Sequence, residues 1–435
     1  MSNEDTHGAR GPLPRAAGLL LCLLAFLVGL MQPPIELLGF AAIPADLLFP
    51  AVLTIWLLAL AAGQASFVWD KSYWLLLFYL AALAASMLVS TAPDRSLVKM
   101  ITQLYLLALP VLVCNLVRSG RDLQRILLCW LGGTVIVVLV ALAAAAVFVV
   151  DPHHKALAFA RFHFGTLPPG DYPRLRATFL NANMLCNYLT VSLVVALVAG
   201  RLDWIGRKGL ALLVTGIVAS ALLTISPGLG GIALAAGLWL WLVRSPARDR
   251  SARIALAAGI GIAILFVAAM AVTPILHPTA PFLIHVPFAG VTLAPSGRLM
   301  VWIDALNNFA ANPWFGIGIG QDPVWVRYRD PSGNLQTLTD AHDSFLSIAA
   351  QCGSFGLAAL VALIAYAVRL TLPFRLLPDG RNLVRLALGL AFLDGFAYQG
   401  LGGSFEDTRH LWLLFGLLLA SRRIEGAPPE AMHRR

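Results

Sequence analysis

Apolar runs of roughly 20 residues recur along almost the whole chain, separated by short polar segments, and each is long enough to cross a bilayer. Their extents predict twelve helices, near 16–31, 44–63, 72–90, 98–117, 125–150, 181–200, 210–225, 228–243, 254–274, 345–366, 386–402 and 410–421. Such runs must be helical, because a backbone amide in lipid has to find its partner within its own segment. Two of the intervening segments are long, 151–180 and 275–344. In the second, Leu299, Met300, Trp302, Ile303, Leu306 and Phe309 recur at helical spacing over 297–311. That spacing predicts an amphipathic helix lying at the interface, stopped by Asn312-Pro313. The expected fold is an all-α integral membrane protein of about twelve spans, one polytopic domain over 1–435, with the 275–344 loop before the tenth helix.

Charge then sets orientation. With the N-terminus in the cytoplasm, 21 of the 31 lysines and arginines fall on the inner side and 10 on the outer side, which puts both termini inside. Charged residues make up 12% of the chain, against about 25% in soluble domains. The net charge of +9 is spread over short loops rather than gathered on one patch, which argues against nucleic acid as a partner. Cys22, Cys114, Cys129, Cys186 and Cys352 all lie inside apolar runs without paired spacing, so neither a disulfide framework nor a metal motif is expected. The first run has no convincing small-residue cleavage site and is expected to be a retained helix.

Candidate chemistry gathers on the outer side. A polar island, Thr339-Asp340-Ala341-His342-Asp343-Ser344-Phe345, sits where the long loop enters a membrane helix. Asp340 is expected to cap that helix with Asp343 three residues on, which would put the His342 imidazole in the first turn, where the positive helix end favours a neutral, proton-accepting ring. Seven outer arginines cluster nearby: Arg161, Arg174, Arg176, Arg298, Arg327, Arg329 and Arg409. Arginine suits phosphate because its planar fork donates in pairs and stays protonated. The plainer reading is that individual arginines snorkel to headgroups or pair with Asp171, Asp322 and Asp330; as a set they point to an anion site, with Arg176 and Arg298 foremost. His153-His154 lacks a third metal ligand and reads as solvated loop. Gly316-Ile317-Gly318-Ile319-Gly320 follows no strand and opens no βαβ unit, so a tight turn is the better reading than a dinucleotide loop. Glu406, Asp407, Arg409 and His410 fit either an acceptor site or the cap of the last helix.

Several of these stretches together resemble the O-antigen ligase and O-antigen polymerase superfamily. They are Arg298-Leu299 opening a helix with Trp302, then Asn312-Pro313-Trp314-Phe315-Gly316-Ile317-Gly318, Ala341-His342-Asp343-Ser344-Phe345-Leu346, and Gly353-Ser354-Phe355-Gly356. Arg176-Ala177-Thr178-Phe179-Leu180-Asn181-Ala182-Asn183 is similar to a further family stretch before a membrane helix. Two departures stand out: Asp343 replaces the asparagine usual after the histidine, and Ser226-Pro227-Gly228 replaces a usual Ser-Arg-Gly. The resemblance implies a GT-C-like glycosyltransferase of the bacterial inner membrane with its active site facing the periplasm. It implies a donor glycan on undecaprenyl pyrophosphate, a lipid A–core acceptor, and no metal or other cofactor. His342 would be the base; Arg298, Arg176, Arg174 and Arg161 would hold the pyrophosphate; Asp343, Asn183, Glu406 and Arg409 would support the site or the acceptor. A polymerase with the same donor is the near alternative. A lipid-linked glycan transporter is a more distant one, since Asp394 is the clearest charge within a span and no internal repeat is seen.

Overall fold

A computed structural model describes residues 11–425 except 38–39, 162–170, 227, 245–253, 255–256, 259, 262–263, 265–283, 287–290, 294–297, 330–334, 372–381 and 404–406. At 36–37, 40–41, 241–244, 284–286, 291–293, 298–299, 328–329 and 336 the backbone alone is described. Helices α1 (Pro12–Leu27), α2 (Pro44–Ala61), α3 (Tyr73–Leu88), α4 (Pro93–Leu116) and α5 (Gly120–Val150) come first. A one-turn α6 (Leu157–Ala160), α7 (Ala182–Arg201), α8 (Arg207–Leu222) and α9 (Leu229–Arg244) follow. The rest is α10 (Arg298–Ala311), α11 (Ser344–Thr371), α12 (Leu383–Gly402) and α13 (Arg409–Glu425). Among the described residues, eleven of the twelve expected spans are long helices; the ninth, expected over 254–274, lies mostly outside them. α2, α4, α5, α7 and α11 are each long and apolar enough to cross a membrane.

Helix starts depart from the hydropathy pattern where caps decide them. Proline in the first turn, which needs no amide donor there, begins α1, α2 and α4, so α4 opens at Pro93 rather than near 98. Ser119 and Asp122 form a capping box that starts α5 at Gly120. Asn181 caps α7, its Oδ1 accepting from the Met184 amide at 2.7 Å. The fold is not purely helical: antiparallel hairpins β1–β2 (Ile35–Leu37, Phe40–Ala42), β3–β4 (Ile284–Val286, Val291–Leu293) and β5–β6 (Val326–Arg329, Leu335–Leu338) occupy the connections. Connections outside lipid can leave edge amides to water, which the spans cannot.

Polar contacts between helix ends show that the spans alternate in direction. At one end Arg409, opening α13, meets Asp46, in the first turn of α2. Thr178, before α7, donates to the Gly29 carbonyl after α1 at 2.7 Å, and Leu175 N donates to the Leu223 carbonyl after α8 at 2.9 Å. At the other end Arg118 after α4 donates to the Ser66 carbonyl after α2, and Arg423 near the end of α13 donates to the Val117 carbonyl at 3.1 Å. The core between the ends is close-packed, with Trp130, Trp412, Tyr188, Phe392 and Phe415 fully buried.

Candidate functional site

His342 sits one residue before the helix cap rather than in its first turn. Asp343 is the cap: its Oδ1 accepts from the Leu346 amide at 2.9 Å, and its carbonyl accepts from Ser347 at 2.8 Å. Asp340 does a different job from the expected one. It closes a tight turn by accepting from the His342 amide at 2.8 Å, and its other oxygen lies 3.5 Å from His342 Nδ1. His342 itself has φ +51°, in the left-handed region. That conformation is uncommon away from glycine and asparagine. It reverses the chain between the Asp340 turn and the Asp343 cap and leaves the ring 43% exposed. The carbonyl just before, that of Ala341, accepts from Trp302 Nε1 at 3.1 Å. Val301 and Ala305 on the same side of α10 bury fully against Val324, Ala341 and Ala350, while Ile303 and Leu306 face outward. The amphipathic pattern of α10 is thus what presses it onto the histidine turn.

The glycine run is a clasp. α11 is interrupted at Gly353, with φ +65° and ψ −162°, which frees carbonyls of the preceding turn. Ile317 N donates to Ala350 O at 2.9 Å and Gly318 N to Gln351 O at 3.0 Å, while Ser354 N and Oγ donate back to Pro313 O at 2.8 and 2.6 Å. Gly320 N also reaches Gln351 Oε1 at 2.9 Å. A break in a membrane helix survives when neighbouring backbone re-satisfies the freed groups, and here that backbone is 313–320. Gly316, Gly318 and Gly320 all have positive φ (71°, 111° and 82°). A tight turn, rather than a phosphate loop, is the structure of this stretch.

The arginines separate into different environments. Arg176 donates to three carbonyls, Phe159 O at 3.1 Å, Ala158 O at 3.0 Å and Leu180 O at 3.4 Å, with no carboxylate against it among the described residues. Burial pulls its pKa down. Arg174 is shifted the same way by deeper burial, opposed by neighbouring Tyr398. Tyr398 on α12 lies 3.3 Å from Ser226 Oγ, which donates to Asn183 Oδ1 at 2.9 Å. Arg174, Asn183, Ser226 and Tyr398 therefore form one cluster. It joins the histidine turn through α12, where Phe396, two residues before Tyr398, stands perpendicular to Phe345 at 5.7 Å. Ala177, Ile225 and His342 are three of the four described non-glycine residues with positive φ, and each is in or beside this assembly. Such strain concentrates at functional sites. Arg161 differs: it binds Tyr172 O at 2.9 Å, Pro152 O at 3.0 Å and Asp171 at 3.1 Å, with Phe148 beneath it. Arg327 is exposed over the Trp325 ring. Arg298 opens α10; its side chain, that of Arg329, and the whole of Glu406 and Pro227 lie outside the described residues.

Arg409 is taken up by a carboxylate. Its Nε and NH2 hold Asp46 at 2.6 and 2.8 Å, with both side chains largely buried. Asp407 is held instead by Lys99 at 2.7 Å. Removing one partner of a buried pair strands the other charge. Arg409→Ala should lower stability by about 3–5 kcal/mol, and Asp46→Leu/Arg409→Leu together should recover most of it. Unfolding of the detergent-solubilised protein measures this; an Arg409→Ala protein that melts like wild type yet loses acceptor use would make the residue a ligand contact instead.

An assembly of alternating apolar helices, five of them long and apolar enough to cross a membrane, defines a multi-pass membrane protein. Residues 209–361, about a third of the chain, match the family model described as O-antigen ligase. Over these residues the chain is similar to the O-antigen ligase family. No curated protein matches it. The matched segment runs from α8 through the Ser226–Gly228 break, α10, the glycine clasp and His342 to the far side of the Gly353 break. Arg174, Arg176 and Asn183 fall before it. Tyr398 is the site residue that the sequence reading passed over; Ser226 was named only within the departing Ser226-Pro227-Gly228 stretch. Tyr398 sits in an apolar run without a motif, and only its helical position opposite Ser226 brings it in.

Proposed function

We propose that this protein is an O-antigen ligase, an inverting glycosyltransferase. It moves a glycan from undecaprenyl pyrophosphate to a sugar hydroxyl of lipid A–core at the periplasmic face of the inner membrane. The chain would be one GT-C-like polytopic domain with both termini cytoplasmic. The observation that carries this reading is the family match enclosing His342, a half-exposed imidazole in a strained turn at the start of α11.

The acceptor hydroxyl oxygen attacks the anomeric carbon as its proton passes to the His342 imidazole. The bond from that carbon to the phosphate oxygen breaks, and its electron pair leaves with undecaprenyl pyrophosphate. One displacement without a protein nucleophile inverts the anomeric carbon. Arg176 and Arg174, with Arg298 at the start of α10, offset the charge building on the leaving phosphate. A pyrophosphate would bring negative charge to Arg176, whose described hydrogen-bond partners are all carbonyls. Ser226, hydrogen-bonded to Asn183 and 3.3 Å from the Tyr398 hydroxyl, would add polar contacts to the donor. Arg161 shapes the loop that presents Arg174 and Arg176. Asp343 positions the base by capping α11.

Arg176→Ala and Arg298→Ala should each raise KM for donor by about 10- to 100-fold, the worth of a hydrogen bond to a charged group. Arg327→Ala, an exposed arginine on the same side, should change it little. Initial rates at limiting donor measure this, and equal effects from all three would remove the phosphate role. A polymerase would share donor and base, and only the acceptor separates the two.

A further inference from the structure

We propose that a cleft beside the glycine clasp binds an uncharged stretch of glycan; the proposal rests on the transferase reading and adds a saccharide subsite to it. The cleft has a volume of about 400 Å³ and is walled by Asp94, Arg95, Lys99, Thr102, Gly320 and Asp407. That volume lies within the ~300–1,000 Å³ of small-molecule sites. It lies at the start of α4, and the 313–320 turn that lines it is bonded to α11, the helix that follows His342.

Its charges argue for the ligand. Arg95 holds Asp322 through two bonds, 3.1 and 2.6 Å, and Lys99 lies 2.7 Å from both oxygens of Asp407. Each cation already faces a carboxylate, so a pyrophosphate would have to break an ion pair to enter. The lining acids Asp94 and Asp407 balance Arg95 and Lys99. The exposed wall is mostly apolar with a few polar groups, which suits a neutral sugar chain: the C–H faces of its rings meet the apolar surface and its hydroxyls, each donor and acceptor, meet the polar groups without a net charge. The Thr102 hydroxyl and the Val98 side chain add one mixed contact and one apolar one.

The clasp ties this cleft to the base. Gly320 lines the cleft, while its amide binds Gln351 Oε1 on α11, the helix that His342 introduces. Gly320 has φ +82°, and a Cβ there would come within 2.7 Å of the Arg95 carbonyl. Only glycine lets the turn approach α4 closely enough to close the cleft. A glycan reacting at His342 can thus lie across the clasp with its body in the cleft.

The test uses the full-length protein in nanodiscs. The probes are a panel of neutral hexose and N-acetylhexosamine tetrasaccharides, observed by saturation-transfer NMR, with inorganic pyrophosphate as competitor. At least one tetrasaccharide should bind, pyrophosphate should not displace it, and Thr102→Trp, which fills the cleft, should weaken it by about tenfold or more. A spin label on Thr102→Cys should broaden the bound sugar's signals, a readout that survives if Thr102→Trp misfolds. No binding by any probe, displacement by pyrophosphate, or unbroadened signals would overturn the cleft. Transfer run first with donor and then with acceptor limiting separates the two glycan sources: Thr102→Trp should raise KM for one of them with kcat nearly unchanged, and unchanged KM for both would overturn the proposal. Tetrasaccharide binding lost in Thr102→Trp, in a wild-type protein that transfers no glycan, would keep the cleft and reject the transferase reading.

Discussion

His342→Ala is expected to cut glycan transfer by about 10²- to 10⁴-fold, the usual worth of a positioned general base. The fold should survive, because the ring is 43% exposed and, among the described residues, the ion-pair partner it faces is Asp340 at 3.5 Å. The left-handed backbone needs separate control, since alanine tolerates φ +51° poorly. His342→Asn keeps a residue that accepts this conformation and still removes the base, so it should lose activity to the same degree. Donor KM should change little in both, as the phosphate contacts lie on Arg176, Arg174 and Arg298. Initial rates at saturating donor, beside melting curves, measure this. A His342→Asn protein within a few-fold of wild type would leave the turn structural and the base elsewhere.

The second large effect is structural. Gly353→Ala should cost about 2 kcal/mol or more, with poor recovery of folded protein, because two penalties add. φ +65° with ψ −162° is a region that residues with a side chain scarcely enter. An added Cβ would also stand 2.3 Å from the Trp314 carbonyl carbon and oxygen, so backbone must move. Gly316→Ala makes the reciprocal clash with Gln351, also at 2.3 Å. Gly209→Ala is the control: it sits in α8 with nothing within 4 Å of its Cβ position, and alanine should be neutral or slightly stabilising there. Thermal unfolding of the three proteins in one detergent decides it. A Gly353→Ala protein as stable as the Gly209→Ala one would mean that α11 straightens without loss, and that the clasp does not hold the break.

What could be read in advance follows from which interactions are local. The spans were legible because bilayer thickness fixes the length of an apolar run, and α10 because its apolar spacing is helical over Arg298–Ala311. The anchor residues His342 and Arg176 were legible as chemistry that stands out against an apolar background. Their settings were not. Asp340 and Asp343 are both plausible caps by type, and only backbone geometry gives the cap to Asp343 and the turn to Asp340. The break in α11 is hidden because Gly353 lies in an apolar run and its partners, Pro313 to Gly318, are over thirty residues earlier. Arg409 read as part of an acceptor site or a helix cap because its partner, Asp46, is 363 residues away. Tyr398 carries no local mark at all, and its place opposite Ser226 depends on how α12 packs beside α7 and α9.

The most direct measurement is transfer by the purified protein in liposomes, with undecaprenyl-pyrophosphate-linked glycan, lipid A–core and a chelator, wild type beside His342→Asn. The expected result is glycan on lipid A–core with an inverted anomeric linkage, unaffected by the chelator and lost in the variant. Glycan lengthened on the undecaprenyl carrier with lipid A–core untouched, a requirement restored by a single divalent ion, or transfer undiminished in His342→Asn would contradict it.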